Sequence, residues 1–184
     1  MAINLQKGQR ENINAPRFTI GLGWDTNNSS TGQGFDLDAS VFVLGENSKL
    51  VSDNHFVFYN NLKTPDEAVT HTGDNLTGDG DGDDEQILVD LTKITDAAAE
   101  ICIVVTIHEA EDRKQNFGQV RNSFIRIFDT VTNQDILKYE LDEDFSIETA
   151  VEFGRIYKRN NEWKFEAVGA GMKGGLQDYL NKYN

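Results

Sequence analysis

Between Gly73 and Glu85 the chain reads GDNLTGDGDGDDE, placing six carboxylates and four glycines in thirteen residues. Carboxylates a few ångströms apart repel one another, and glycine costs more backbone entropy to order than any other residue. A hard cation relieves both difficulties, because Ca²⁺ takes about six to eight oxygen ligands from a chain able to bend around it. A solvated acidic loop is the competing reading. An EF-hand is excluded: counted from Asp79, Asp81 and Asp83 fit, but position 6 is Asp84 rather than Gly and position 12 is Asp90 rather than Glu. The Gly/Asp alternation also echoes the Ca²⁺-binding nonapeptides of β-helix proteins. It occurs once, where that architecture needs stacked repeats.

Further oxygen donors lie upstream. GWD ends a predicted strand at Asp25, and FDLD opens the next with Asp36 and Asp38 on one face. These residues define a candidate site for one or two Ca²⁺ ions built from Asp25, Asp36, Asp38, Asp74, Asp83 and Glu85. Asn75 and the backbone carbonyls near Thr77 and Gly78 would complete the shell. Asp79, Asp81 and Asp84 fit either a ligand or a solvated charge. Zinc is disfavoured, since one cysteine and three scattered histidines, His55, His71 and His108, show no ligand spacing. Mg²⁺ is the more serious rival, although it usually retains water and binds together with phosphates.

The elements that must carry these donors have a period of two. In FDLDASVFVL, Phe35, Leu37, Ala39, Val41 and Val43 share one face, while Asp36, Asp38 and Ser40 share the other. Further strands are expected over 17–24, 55–59, 86–91, 101–109, 123–129, 135–141, 150–159 and 162–168. Nine short β-rich runs with turn-forming gaps predict an all-β fold, an antiparallel sandwich. VTNQDILKYE and RNNEW read as hairpin connections, in which Asn tolerates a positive φ. LTKITDAAAE is expected to form at most a short helical turn. GLQDYLNKYN sets Leu176, Tyr179, Leu180 and Tyr183 at i, i+3, i+4 and i+7, which predicts a terminal helix lying on the sandwich.

Other constellations are weaker. GAGMKG (169–174) satisfies G-x-G-x-x-G, but ten residues follow it, too few for the second strand and ribose-binding acid of a dinucleotide fold, so a Gly-rich turn is expected. IHEAEDRKQNFGQ holds His108, Glu109, Asp112 and Arg113. On a strand His108 and Glu109 would face opposite ways, so they are read as structural. The cations of IYKRNNEWK are read as a solvated hairpin tip.

Composition narrows the function classes. The 184 residues suit one domain spanning 1–184, and 38% apolar content with eleven Phe supports a packed core. A formal net charge of −14 argues against nucleic acid as a partner and disfavours unassisted binding to anionic membranes. No signal-like N-terminal segment or membrane-length apolar run is visible, and the lone cysteine, Cys102, lies in the apolar run EICIVVTIHE. A cytoplasmic protein with a buried core thiol is expected.

GLGWD, FDLDAS, FVFYNN, HTGDNLTGDGDGDDE, TIHEAEDRKQNFGQVRNSFIRI and EWKFEAVGAG occur in that order along nearly the whole chain. Together they resemble the TerD family of tellurium-resistance and stress proteins. The resemblance implies a bacterial cytoplasmic β-sandwich that binds Ca²⁺ through acidic loops. It also implies partners among other products of a tellurium-resistance operon, one of them membrane-embedded, and no established catalytic activity. By the resemblance the calcium loops fall on Asp25, Asp36, Asp38, Asp74, Asn75, Asp83, Asp84 and Glu85. The family's Gly-Gln-Gly turn reads Gly169-Ala170-Gly171 here. Three functions follow: a non-enzymatic calcium-binding module with a partner surface, a Ca²⁺-dependent membrane-docking module, and a metal-dependent phosphohydrolase. The absence of an evident cation among the acidic loops to meet phosphate counts against the third. With a single thiol that is expected to be buried, any resistance to tellurite is expected to be indirect.

Overall fold

The computed structural model describes residues 1–25, 34–73, 82–141 and 145–184. Alternating apolar residues form two six-stranded sheets that close face to face over one core. In chain order the strands are β1 (Ile3–Leu5), β2 (Arg10–Asn12), β3 (Arg17–Gly23), β4 (Leu37–Leu44), β5 (Phe56–Val57) and β6 (Val69–His71). They continue with β7 (Glu85–Asp90), β8 (Glu100–Ile107), β9 (Phe124–Asp129), β10 (Asp135–Glu140), β11 (Ala150–Arg159) and β12 (Glu162–Met172). One helix, α1 (Leu176–Tyr183), follows. The first sheet runs β1-β10-β9-β3-β7-β6 and the second β2-β12-β11-β8-β4-β5.

The expected sandwich and terminal helix are both present. Three short strands add to the nine expected: β1, β2 and β6. Pairing is antiparallel throughout except at one edge, where β1 runs parallel to β10 with Ile3 opposite Leu137. LTKITDAAAE forms turns and no helix. Residues 169–172, expected to turn, instead continue β12, and the chain turns only at 173–175. The hairpin connections are as expected, with Asn133, Asn160 and Asn161 at φ of 57°, 53° and 61°.

The inward faces of β3, β4, β8, β9 and β11 supply Phe18, Ile20, Val41, Ile103, Ile127 and Phe153 to the core. β4 is buried on both faces. Its second face, with Phe42 and Leu44, packs together with Cys102 and Val104 against Tyr179 and Tyr183 of α1. Farther across the same outer face an ionic ladder ties four strands: Glu100 to Arg155 at 3.4 Å, Arg155 to Glu166 at 2.9 Å, and Glu166 to Arg10 at 3.2 Å.

The acidic pole, a candidate metal centre

One end of the sandwich gathers the predicted acids that lie among the described residues. Within β7, Glu85, Ile87 and Val89 point inward. The Glu85 carboxylate therefore crosses between the sheets, where its Oε2 accepts the Ala39 backbone N–H at 2.7 Å. It reaches β4 where that strand has no β5 neighbour, since β5 pairs only with Val41 and Phe42. His71 packs on the same oxygen, with Nε2 at 3.5 Å and the imidazole buried. The Gly73 N–H donates to His71 Nδ1 at 3.0 Å. That lone pair is used, so the ring proton sits on Nε2 and faces Glu85.

Neighbouring acids brace the loop ends. Asp84 Oδ2 accepts the Trp24 N–H at 2.9 Å, and the Asp84 N–H donates to the Leu22 carbonyl at 2.7 Å. Asp25 accepts a hydrogen bond from the Asn122 side chain and donates its backbone N–H to the Arg121 carbonyl. Asp36 and Asp38 are both buried, at 5% and 7% exposure. The Asp36 carbonyl accepts the His108 N–H at 2.8 Å, and the His108 Nδ1 stands 3.9 Å from Asp38 Oδ2. Asp74, Asn75, Thr77 and Gly78, with Asp79 and Asp81, lie outside the described residues.

Asp83 turns the other way. It precedes β7, so strand alternation does not bind it to the inward face of Glu85. Its carboxylate lies over Gly21 on the outer face of the first sheet, so close that a Cβ at position 21 would collide with it. There Arg126 grips both oxygens at 2.8 Å, and the Gln86 side-chain amide adds a third hydrogen bond. This hydrogen-bonded carboxylate holds the Arg126 guanidinium above its ordinary pKa. A cation therefore does stand beside the acidic segment, contrary to the sequence reading. Both its partners, Asp83 and Asp135, are carboxylates.

One smaller expectation also changes. β8 ends at Ile107, so His108 and Glu109 lie in the following turn and come within 3.6 Å of each other, rather than facing opposite sides of a strand. Cys102 is buried as expected, in the apolar cluster beneath α1. Desolvation, then the charges of Glu152 and Glu100, push its thiol well above the ordinary cysteine range. Among the described residues, Glu100, Cys102 and Glu152 are the only trio whose potential ligand atoms lie within 4.8 Å of one another. Arg155 at Glu100 and Lys182 at Glu152 balance that trio's charge.

The TerD domain matches residues 1–183. The chain belongs to the TerD family. A Bacillus subtilis relative called uncharacterized protein YceE is 53% identical over all of this chain and 98% of its own length. The tellurium resistance protein TerD of Serratia marcescens is 47% identical over all of this chain and 97% of its length. The crystal structure of a TerD homologue from Streptomyces coelicolor superposes with a TM-score of 0.70 over 89% of this chain and 94% of that one, at 18% identity, and so shares the fold. As a TerD-family protein, this chain is assigned to tellurium resistance and stress response. Among its described residues no helix is long and apolar enough to cross a membrane.

Proposed function

We propose that this TerD-family chain is a non-enzymatic calcium-binding protein whose acidic pole, once ordered by one or two Ca²⁺ ions, forms a surface for a protein partner. The observation that carries the reading is the placement of Asp25, Asp36, Asp38, Asp84 and Glu85 at the same end of the sandwich, where the chain departs at Gly73 and returns at Gly82. The described donors there are carboxylates, the ligands of a hard cation. His71 does not join them, because one ring nitrogen accepts from Gly73 and the other carries the proton.

The described acids alone do not close a cage, since no three of them bring oxygens within 4.8 Å. A complete shell draws on oxygens of the segment 74–81, where Asp74, Asn75, Thr77 and Gly78 are the proposed contributors. Asp83 would join only by giving up Arg126. The partner is read as another product of a tellurium-resistance operon, in the cytoplasm or held at its membrane.

Calorimetric titration of metal-stripped protein with Ca²⁺ and then Mg²⁺ tests the reading. Saturable Ca²⁺ binding that is stronger than Mg²⁺ binding and reduced by Asp36→Asn and Asp74→Asn is expected. Folded protein that gives no Ca²⁺ heat, or variants that titrate like the parent, would sink it.

A further inference from the structure

The end of the sandwich away from the acidic pole holds a serine, a histidine and an aspartate in series. β4 begins beside Asp36 and finishes at Leu44, which bridges to Leu50, and Ser52 follows shortly after. Asp66 reaches the same end through the loop before β6, since the Asp90 N–H at the close of β7 donates to the Ala68 carbonyl at 2.7 Å. Between them a single 3₁₀ turn, Asp53–His55, carries the histidine.

Ser52 Oγ lies 2.7 Å from His55 Nδ1, and His55 Nε2 lies 3.8 Å from Asp66 Oδ2. His55 is only 7% exposed, and no hydrogen bond reaches its buried Nε2. A lone pair on that nitrogen would face a carboxylate and be repelled by it, so Nε2 carries the ring proton and Nδ1 accepts from the Ser52 hydroxyl. The carboxylate is fixed in place: Asp66 Oδ1 accepts the Thr64 hydroxyl at 2.6 Å and the Ala68 N–H at 3.0 Å, and Oδ2 accepts the Thr95 N–H at 2.9 Å. Ser52 precedes the 3₁₀ turn, yet its side chain caps no backbone N–H there. The hydroxyl is committed to the imidazole, and Ser52 is exposed to an incoming reagent.

A hydroxyl that donates to an imidazole whose other nitrogen faces a fixed carboxylate is an activated nucleophile, recognised by geometry and roles rather than by chain order. We propose that Ser52 accepts an acyl group from an uncharged carboxylic ester, with His55 as its general base and Asp66 as the residue that positions the ring. Ser52 Oγ forms a bond to the acyl carbon while its proton passes to His55 Nδ1. The ester C–O bond breaks, and the departing alkoxide takes that proton. Asp53 and Asp66 make the surroundings acidic, which disfavours an anionic donor such as an acyl phosphate. The step needs neither metal nor turnover, so it does not depend on the calcium reading.

The test incubates the full chain with 4-nitrophenyl acetate and, in parallel, with a fluorophosphonate that traps activated serines irreversibly, and locates the adducts by peptide mass mapping. One adduct per chain at Ser52 is expected. It should form about a hundredfold or more faster than at Ser48 or Ser146, exposed serines of the same chain, because a positioned general base contributes that much. Ser52→Ala should abolish the adduct and leave Ca²⁺ affinity unchanged. His55→Ala should slow labelling by a similar factor, and added imidazole should restore part of the rate, which a purely structural histidine would not allow. Asp66→Asn should slow labelling in protein that still melts cooperatively, and Asp66→Glu should slow it less. No adduct at Ser52 in the folded parent, or a rate there equal to that at Ser48 and Ser146, would overturn the proposal, and this comparison needs no variant to fold. Undiminished labelling of Ser52 in folded His55→Ala would equally overturn it.

Discussion

Asp83 illustrates how one carboxylate in an acidic run can have a role different from its neighbours. Its side chain is almost fully buried and held by Arg126 and Gln86. Asp83→Ala should lower stability by about 1–3 kcal/mol, since it leaves a partly buried guanidinium with half of its partners. Urea denaturation checks this, and because the loss arises without metal, it should persist in chelator. A loss of Ca²⁺ affinity in that variant alone would not identify a ligand, whereas Asp36→Asn and Asp74→Asn leave the Arg126 pair intact. Cys102 yields a second residue-scale prediction. A thiol whose pKa is raised by burial and two carboxylates holds little thiolate, so it should react with Ellman's reagent only on the timescale of unfolding. Rapid native labelling would contradict the buried geometry, and the predicted inertness agrees with resistance that does not work through this thiol.

At the scale of elements, packing geometry imposes demands that composition does not advertise. β3 needs glycine at position 21 because the Asp83 carboxylate occupies the space of a Cβ. Gly21→Ala should therefore cost about 1–3 kcal/mol, as overpacking does, and thermal melts should show the loss. The loop before β6 is tied by Asp66. Desolvation raises the pKa of this carboxyl, but hydrogen bonds from Thr64, Ala68 and Thr95, with the nearby His55, outweigh burial and hold it below its ordinary 3.8. A carboxylate depressed in the folded state stabilises above its unfolded pKa, and that contribution disappears as pH falls through the folded value. Asp66→Asn should accordingly flatten the dependence of melting temperature on pH below about 4. An unchanged acid slope would show that the tie contributes nothing. The strand pattern itself was legible. β4 showed its alternation in FDLDASVFVL, and α1 its i, i+3, i+4 spacing. β2 was not legible, because Arg-Glu-Asn has no apolar period and pairs simply because the edge of β12 is open.

For the whole molecule, net charge and metal should act together. If the acidic pole binds Ca²⁺ only in the folded state, a hundredfold excess over Kd stabilises by about 2.7 kcal/mol. Scanning calorimetry with and without Ca²⁺ should show a clear rise in melting temperature, with Mg²⁺ giving less. The sequence by itself determined the class of fold, the terminal helix, the hairpins and the acidic character of one segment. These follow from side-chain period and charge, which are properties of neighbours along the chain. Only the tertiary structure decided which acids share a location. Glu85 reaches β4 across the core, and Asp83 meets Arg126 on the opposite face, although the two are separated by a single residue. It also decided that β1 pairs parallel to β10 and that Cys102 lies beneath α1. Each of these depends on contacts between residues far apart in sequence, where register and sheet closure, not local preference, set what touches what.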